Sequence, residues 1–386
     1  MTPPVAASIP VLLWAARRAG LHDNALSARF RKWPLWISGQ ARPTLRQLET
    51  FADLTHTPIG YFFLPEPPVI ELPVPDFRTL RDEALSDPSS NLLETIYLCQ
   101  QRQDWYRDYM RLHGLPALDF IGSAHLQQAP ETVAQRIRET LESSAAQAPL
   151  QPSTKEALRQ LIARVEDAGI MVMVNSVVGN NTHRNLDVRE FRGFALADPL
   201  APLIFLNGAD SKAAQMFTLA HELAHLWLNA PGVSNPQADS IPEQPTEQWC
   251  NQVAAEFLMP LRDLRAMYQP KTPIPQEIQR LARAFKVSTL VALRRLFDAG
   301  FINQTTLWEH YRQEVNRLQN LEQTNKSGGG GDFYHTMNTR ASKRFVHAVV
   351  SSTLEGQTLF QDAFRMLGLR TTATFYQAAR ELGVIP

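Results

Sequence analysis

The chain has 386 residues, 44% hydrophobic and 20% charged, with a formal net charge of +0 at pH 7. That length predicts two or three compact units of ordinary globular composition, and the balanced charge excludes a global basic field that would draw nucleic acid or a membrane surface. The two cysteines, Cys99 and Cys250, lie far apart in apolar helical context, which excludes a disulfide framework and reads as two buried free thiols.

The apolar run 9–16 is followed, not preceded, by Arg17 and Arg18, the wrong polarity for a secretory signal. No stretch reaches the roughly 18–20 apolar residues of a membrane span, so a cytoplasmic protein with no membrane partner is expected. IPVLLWAARRAG predicts an amphipathic helix ending at Gly20, and PTLRQLETFADLTH, 43–56, predicts a second. The stretch between them is short and interrupted by Pro34. PEPPVIELPVP, 65–75, reads as an extended proline-rich linker. A long helix is predicted over 91–114, closed by Gly114, and two more lie within 129–168.

The texture then changes. GIMVMVNSVVG, 169–179, is rich in β-branched residues and reads as a buried strand. EFRGFALAD, 190–198, alternates apolar and polar, and APLIFLNG, 201–208, is a third strand reached by a short hairpin connection at Asp198-Pro199. KAAQMFTLAHELAHLWLN, 212–229, has helical apolar spacing. A Pro- and Gly-rich loop leads to a helix over 246–260, stopped by Pro260. Residues 274–302 carry two helical segments around a turn at 286–288, a helix-turn-helix rhythm. A charged helix covers 303–325, the glycines at 328–331 mark a flexible break, and amphipathic segments follow to 386.

The chemistry centres on His221-Glu222-Leu223-Ala224-His225. Residues four apart share a helix face with Cβ atoms about 5–6 Å apart, so both imidazoles can reach one metal. Imidazole pairs suit zinc, which keeps a coordination position open for water. Glu222 points partly off that face, where it can act as general base on the water. The helix is apolar around the motif, and burying these three groups is costly unless they coordinate or hydrogen-bond something. A third ligand is expected downstream, with Asp239, Glu243, Glu247 and Glu256 as candidates. Asp239 and Glu243 sit in the proline-rich loop and read as solvated. Glu247 and Glu256 are separated by about 180° around a helix, so only one can face the site. Glu247 shares its face with Asn251 and an alanine-lined surface and is the expected ligand, so the metal set is His221, His225 and Glu247.

LIFLNGADSKAAQMFTLAHELAHLWL followed by EQWCNQVAAEFLMP resembles the ImmA/IrrE-type metallopeptidases, over about 160–302. FRGFAL and the strand–strand–helix order agree. The resemblance implies zinc ligation by His221, His225 and a downstream glutamate, with Glu222 as base. Trp249-Cys250-Asn251 stands where many members carry Glu-Ala-Asn. Relatives cleave helix-turn-helix repressors, and others sit beside toxin genes. The N-terminal unit resembles an Xre-type helix-turn-helix through WAARRAGL, Trp36-x-x-Gly39 and PTLRQLETFADL–PIGYFFLPEPP, but 20–36 is about one helical turn short and Pro34 falls where the recognition helix should run.

The expected fold is α+β: a mainly helical chain with a small-sheet, zincin-like peptidase domain and flanking helix-turn-helix-like units. The expected boundaries are a degenerate Xre-like domain at 1–68, a helical linker region at 69–158, the peptidase domain at 159–265, a helix-turn-helix-like region at 266–325 and a separable C-terminal module at 333–386. The expected function is a zinc-dependent, site-specific endopeptidase whose substrate is a protein partner, a transcriptional regulator or toxin encoded nearby. The alternative is a regulator or antitoxin-like protein that binds DNA or a toxin, with a structural or vestigial metal. DNA contact would fall to Arg29, Arg31 and Lys32, or to Arg280, Arg283, Lys286, Arg294 and Arg295. Because the 201–208 strand leads directly into the active helix, its edge is expected to receive an extended substrate by strand addition.

Overall fold

The computed structural model describes residues 3–77, 87–142, 153–234, 244–324 and 333–385. The chain divides into two units, Met1–Pro73 with Leu80–Tyr97 and Val74–Thr79 with Leu98–Pro386. It is α+β and mainly helical. Among the described residues no helix is long and apolar enough to cross a membrane.

The first unit contains α1 (Ile9–Arg18), α2 (Asp23–Arg29), α3 (Trp33–Ile37), α4 (Leu45–Thr55) and a 3-10 turn at Ile59–Phe63. Pro10 sits in the first turn of α1, where its missing N–H costs nothing. Thr44 and Gln47 form a reciprocal capping box that starts α4. The core is aromatic: Trp33 stacks on Phe51 with centroids 5.3 Å apart, and Phe51 meets Phe62 edge-on. The stretch where the Xre resemblance places a recognition helix is α3, five residues long, and both its tryptophans point into the core.

The second unit is built on a mixed sheet. Its strands are β1 (Met171–Asn175), β4 (Gly193–Leu196), β5 (Leu203–Asn207) and β6 (Gly232–Ser234), in the order β1-β5-β4-β6. β1 and β5 are parallel, with Met171 opposite Leu203, and β4 runs antiparallel to both β5 and β6. The Asp198 turn joins β4 to β5, its carboxylate accepting from the Leu200 and Ala201 N–H groups at 2.8 Å each. The 169–179 segment is two strands, not one: β1 ends at Asn175, and β2 (Val177–Val178) pairs separately with β3 (Asn181–Asn185).

Three sequence expectations change here. β4 does not alternate, because all four of its residues are buried. The loop after the active helix holds β6, which the proline and glycine content concealed. Most important, β5 has no free edge, since β1 and β4 flank it; substrate strand addition at 201–208 is ruled out.

The remaining helices are α5 (Ser90–Leu112), α6 (Pro130–Glu142), α7 (Thr154–Asp167), α8 (Lys212–Leu228), α9 (Pro245–Leu258), α10 (Leu261–Met267), α11 (Ile274–Phe285), α12 (Thr289–Asp298), α13 (Gln304–Thr324), α14 (Phe333–Ala341), α15 (Lys343–Leu354), α16 (Phe360–Leu367) and α17 (Thr372–Glu381). One sheet face puts Val172, Val174, Ala195, Ile204 and Leu206 against Met216, Leu219 and Leu223 of α8. Trp249, Cys250 and Val253 of α9 join the same core. Trp249 Nε1 donates to the Gln128 carbonyl at 2.9 Å, which ties α9 to the turn before α6.

The C-terminal helices belong to this unit. Arg102 on α5 donates to the carbonyls of Arg340 at 3.3 Å and Met366 at 3.0 Å, and Arg344 donates to Tyr106 Oη at 2.7 Å. The glycine run at 328–331 lies outside the described residues. α11 and α12 form their own small core with α10. Of the basic residues suggested for DNA contact, Arg295 is buried and pairs with Glu256, while Arg280 and Arg294 are part-exposed and pair within their own helices with Glu277 and Asp298.

Candidate metal centre

α8 begins at Ser211, whose side chain accepts from the Ala214 N–H, and runs to Asn229, which takes left-handed backbone angles and reverses the chain. His221 and His225 lie one turn apart on α8, wholly buried, with ring centroids 4.8 Å apart. α9 packs across them. Pro245 starts that helix and Glu247 sits in its first turn, where the dipole favours a carboxylate.

The hydrogen bonds decide what these groups want. His221 Nδ1 lies 3.0 Å from Asn251 Oδ1, and His225 Nδ1 lies 2.9 Å from the Ala230 carbonyl. Both partners are acceptors, so each Nδ1 carries a proton and each ring turns its Nε2 into the site. Those two Nε2 atoms face each other at 3.0 Å. Glu247 completes the triangle, with Oε2 3.2 Å from His221 Nε2 and Oε1 2.9 Å from His225 Nε2. Close as it is, Glu247 Oε1 is buried and receives no hydrogen bond. Two Nε2 atoms and a carboxylate converging on one buried point need positive charge between them, from a metal ion or from protons. These three residues are the metal-capable group found among the described residues, their ligand atoms all within 4.8 Å of one another. Two imidazoles and one carboxylate form a donor set suited to zinc.

Glu222 is also fully buried and accepts a hydrogen bond from Ser234 Oγ on β6, while its Oε2 has no partner. Burial pushes its carboxyl up to about 8, against the pull of His225 and the Ser234 bond. Burial works the same way on Glu247, but His221 and His225 overcome it and hold that carboxyl at about 2. Without metal the two neighbouring carboxyls are thus shifted in opposite directions. Gly193 makes room for Glu222. A Cβ there would lie 2.9 Å from the Phe205 carbonyl and 3.2 Å from Glu222 Oε1.

The other candidates fall elsewhere. Glu256 points away, pairing with Arg295 and accepting from the Leu261 N–H at the start of α10. Asp239 and Glu243 lie outside the described residues.

Residues 165–297 match the peptidase M78 family model, described as an IrrE N-terminal-like domain. This region belongs to the ImmA/IrrE family. No curated protein matches the chain. In the IrrE-like domain the match covers the whole sheet, both site helices and α12. A second model, a domain of unknown function (DUF8813), matches residues 341–381, which span α15 to α17. The family is of metallopeptidase type, which agrees with a buried His-His-Glu group.

Sequence reading missed four contributors to this site. Asn251 was legible, one turn beyond Glu247 on the same face. The Ala230 carbonyl needed the left-handed turn at Asn229. Ser234 needed β6, and Phe77, whose ring stacks on His225, lies in the segment read as a linker. No periodicity marks it.

Proposed function

We propose that the chain is a zinc-dependent, site-specific endopeptidase acting on a protein partner, with a transcriptional regulator as the substrate class. His221, His225 and Glu247 hold the zinc, and Glu222 is the general base. The convergence of two Nε2 atoms and a buried carboxylate on one point carries this reading. Zinc, when bound, would supply a Lewis acid that polarises a peptide carbonyl and acidifies water. The protein's own groups do the rest. Asn251 and the Ala230 carbonyl fix the tautomer and aim of the two rings. Glu222, buried one residue from His221, takes a proton from the attacking water and returns it to the leaving nitrogen. Ser234 keeps one of its oxygens in place.

A purely structural metal has no use for a buried base beside it, which favours the enzyme over the binding-protein alternative. The five-residue α3 and the burial of Arg295 against Glu256 lend DNA contact little support.

The test is to incubate the zinc-loaded full chain with the products of adjacent genes and look for a clipped partner by mass spectrometry. Cleavage that disappears in Glu222→Gln, with metal content retained, supports the reading. Cleavage that persists in Glu222→Gln places the base elsewhere.

A further inference from the structure

The outer edge of β6 carries an occupant. Val233 pairs with Phe194 of β4 in register, and its own N–H and carbonyl point the other way. They bond to the chain's residues 75–77: Val233 N–H donates to the Pro75 carbonyl at 3.0 Å, and Phe77 N–H donates to the Val233 carbonyl at 2.9 Å. The bridge between Asp76 and Val233 is parallel. The same segment lays the Phe77 ring over His225, with centroids 5.5 Å apart and planes at 19°. That imidazole is one of the metal-facing rings. Gly232 permits the approach, since a Cβ there would lie 2.9 Å from the Pro75 carbonyl oxygen and run into the Phe77 ring.

This segment is more exposed than the sheet it borders. Pro75 and Asp76 are exposed and Phe77 is only half-buried, whereas every residue of β4, β5 and β6 is buried. Main-chain bonds along a strand edge accept any sequence, while a side-chain pocket beside that edge selects one residue. Both elements meet here, at a metal-capable centre. A flat ring is the side chain that covers an imidazole face.

We propose that the β6 edge is the peptide-docking edge of this centre. Residues 74–77 occupy it as a tethered competitor, and the segment that displaces them is an extended peptide with an aromatic residue over His225. The purpose of such docking rests on the peptidase reading, but the test below does not require cleavage. A tethered occupant competes at an effective concentration in the millimolar range, so a free peptide gains access when the tethered ring is removed.

The probe is a labelled peptide of sequence LPVPDFRT, residues 72–79, titrated by fluorescence polarisation into the metal-free full chain. Phe77→Ala is expected to bind it about tenfold or more tighter than the unaltered chain. Adding Gly232→Ala to that variant is expected to abolish binding, because the new Cβ blocks any chain in that place. A peptide with alanine for its phenylalanine is expected to lose most affinity. Equal affinity for the unaltered chain and Phe77→Ala, or indifference to Gly232→Ala, overturns the proposal. Should Phe77→Ala fail to fold, amide hydrogen exchange on the unaltered chain decides. Val233 and Phe77 amides are expected to exchange at least about tenfold faster than those of β5, and equal protection would make the segment a permanent strand. Failed docking alongside an observed clipped partner sinks this inference alone, and absent metal binding sinks the peptidase reading.

Discussion

At the residue scale the proposed zinc site can be tested ligand by ligand. Metal analysis of protein purified without added zinc is expected to give close to one equivalent per chain, and His221→Ala or His225→Ala to lose most of it. Glu247→Ala should weaken affinity by roughly 10- to 100-fold or more, while Glu256→Ala, pointed at Arg295, should leave it nearly unchanged. The reverse pattern in a chelator competition would refute the assignment of Glu247. Glu222 adds a pH dependence to the metal-free protein. Its folded value is about 8 against an ordinary 4.5, so between those limits the native state keeps a proton that the unfolded chain releases. Stability therefore falls as pH rises across that window and levels off above it. Urea midpoints from pH 5 to 9 should show this slope, and Glu222→Gln should flatten it. Glu247 has the opposite sign: its contribution is present above 4.5 and fades as pH falls towards 2.

At the element scale, helix packing decides which carboxylate of α9 meets the two histidines and which meets Arg295. Glu256 lies on α9 with Glu247, but it meets Arg295 of α12, whose Nε also donates to the Met259 carbonyl at 3.0 Å. Both side chains are nearly buried, at 5% and 10% exposure. Removing one partner strands a charge, so Arg295→Ala is expected to cost about 3–5 kcal/mol of stability, and the double change Arg295→Met with Glu256→Leu to recover much of it. Urea unfolding measures both. A loss within about 0.5 kcal/mol, as for an ordinary surface residue, would return Arg295 to the pool of candidate nucleic-acid contacts.

At the scale of the whole molecule, the C-terminal helices act as part of the second unit. They take the carbonyl-to-Arg102 bonds and place Phe345 edge-on to Trp105, with centroids 5.5 Å apart. Removing residues 333–386 would leave the buried Arg102 guanidinium without those acceptors and uncover the apolar side of β1 and α5. The truncated chain is expected to show a lower Tm and to bind a hydrophobic dye, and an unchanged Tm would restore the separable module that the glycine run suggests. The DUF8813 match at 341–381 thus falls within the second unit.

The sequence by itself determined the chemistry-bearing helix, because a four-residue spacing on an apolar helix leaves two histidines one place to go. It also determined the α+β class, the β4–β5 hairpin and the proximity of a downstream glutamate, all local consequences of periodicity and turn chemistry. Tertiary structure alone decided what lies across the chain. β5 became a central strand because it pairs not only with its hairpin neighbour β4 but also with β1, an earlier strand beyond it. β6 formed from a tripeptide too short to show a period, held only by its register with β4. The pairing of Glu256 with Arg295 and the stacking of Phe77 on His225 join residues 39 and 148 positions apart. Such contacts are set by packing at a distance, and no local spacing in the sequence encodes them.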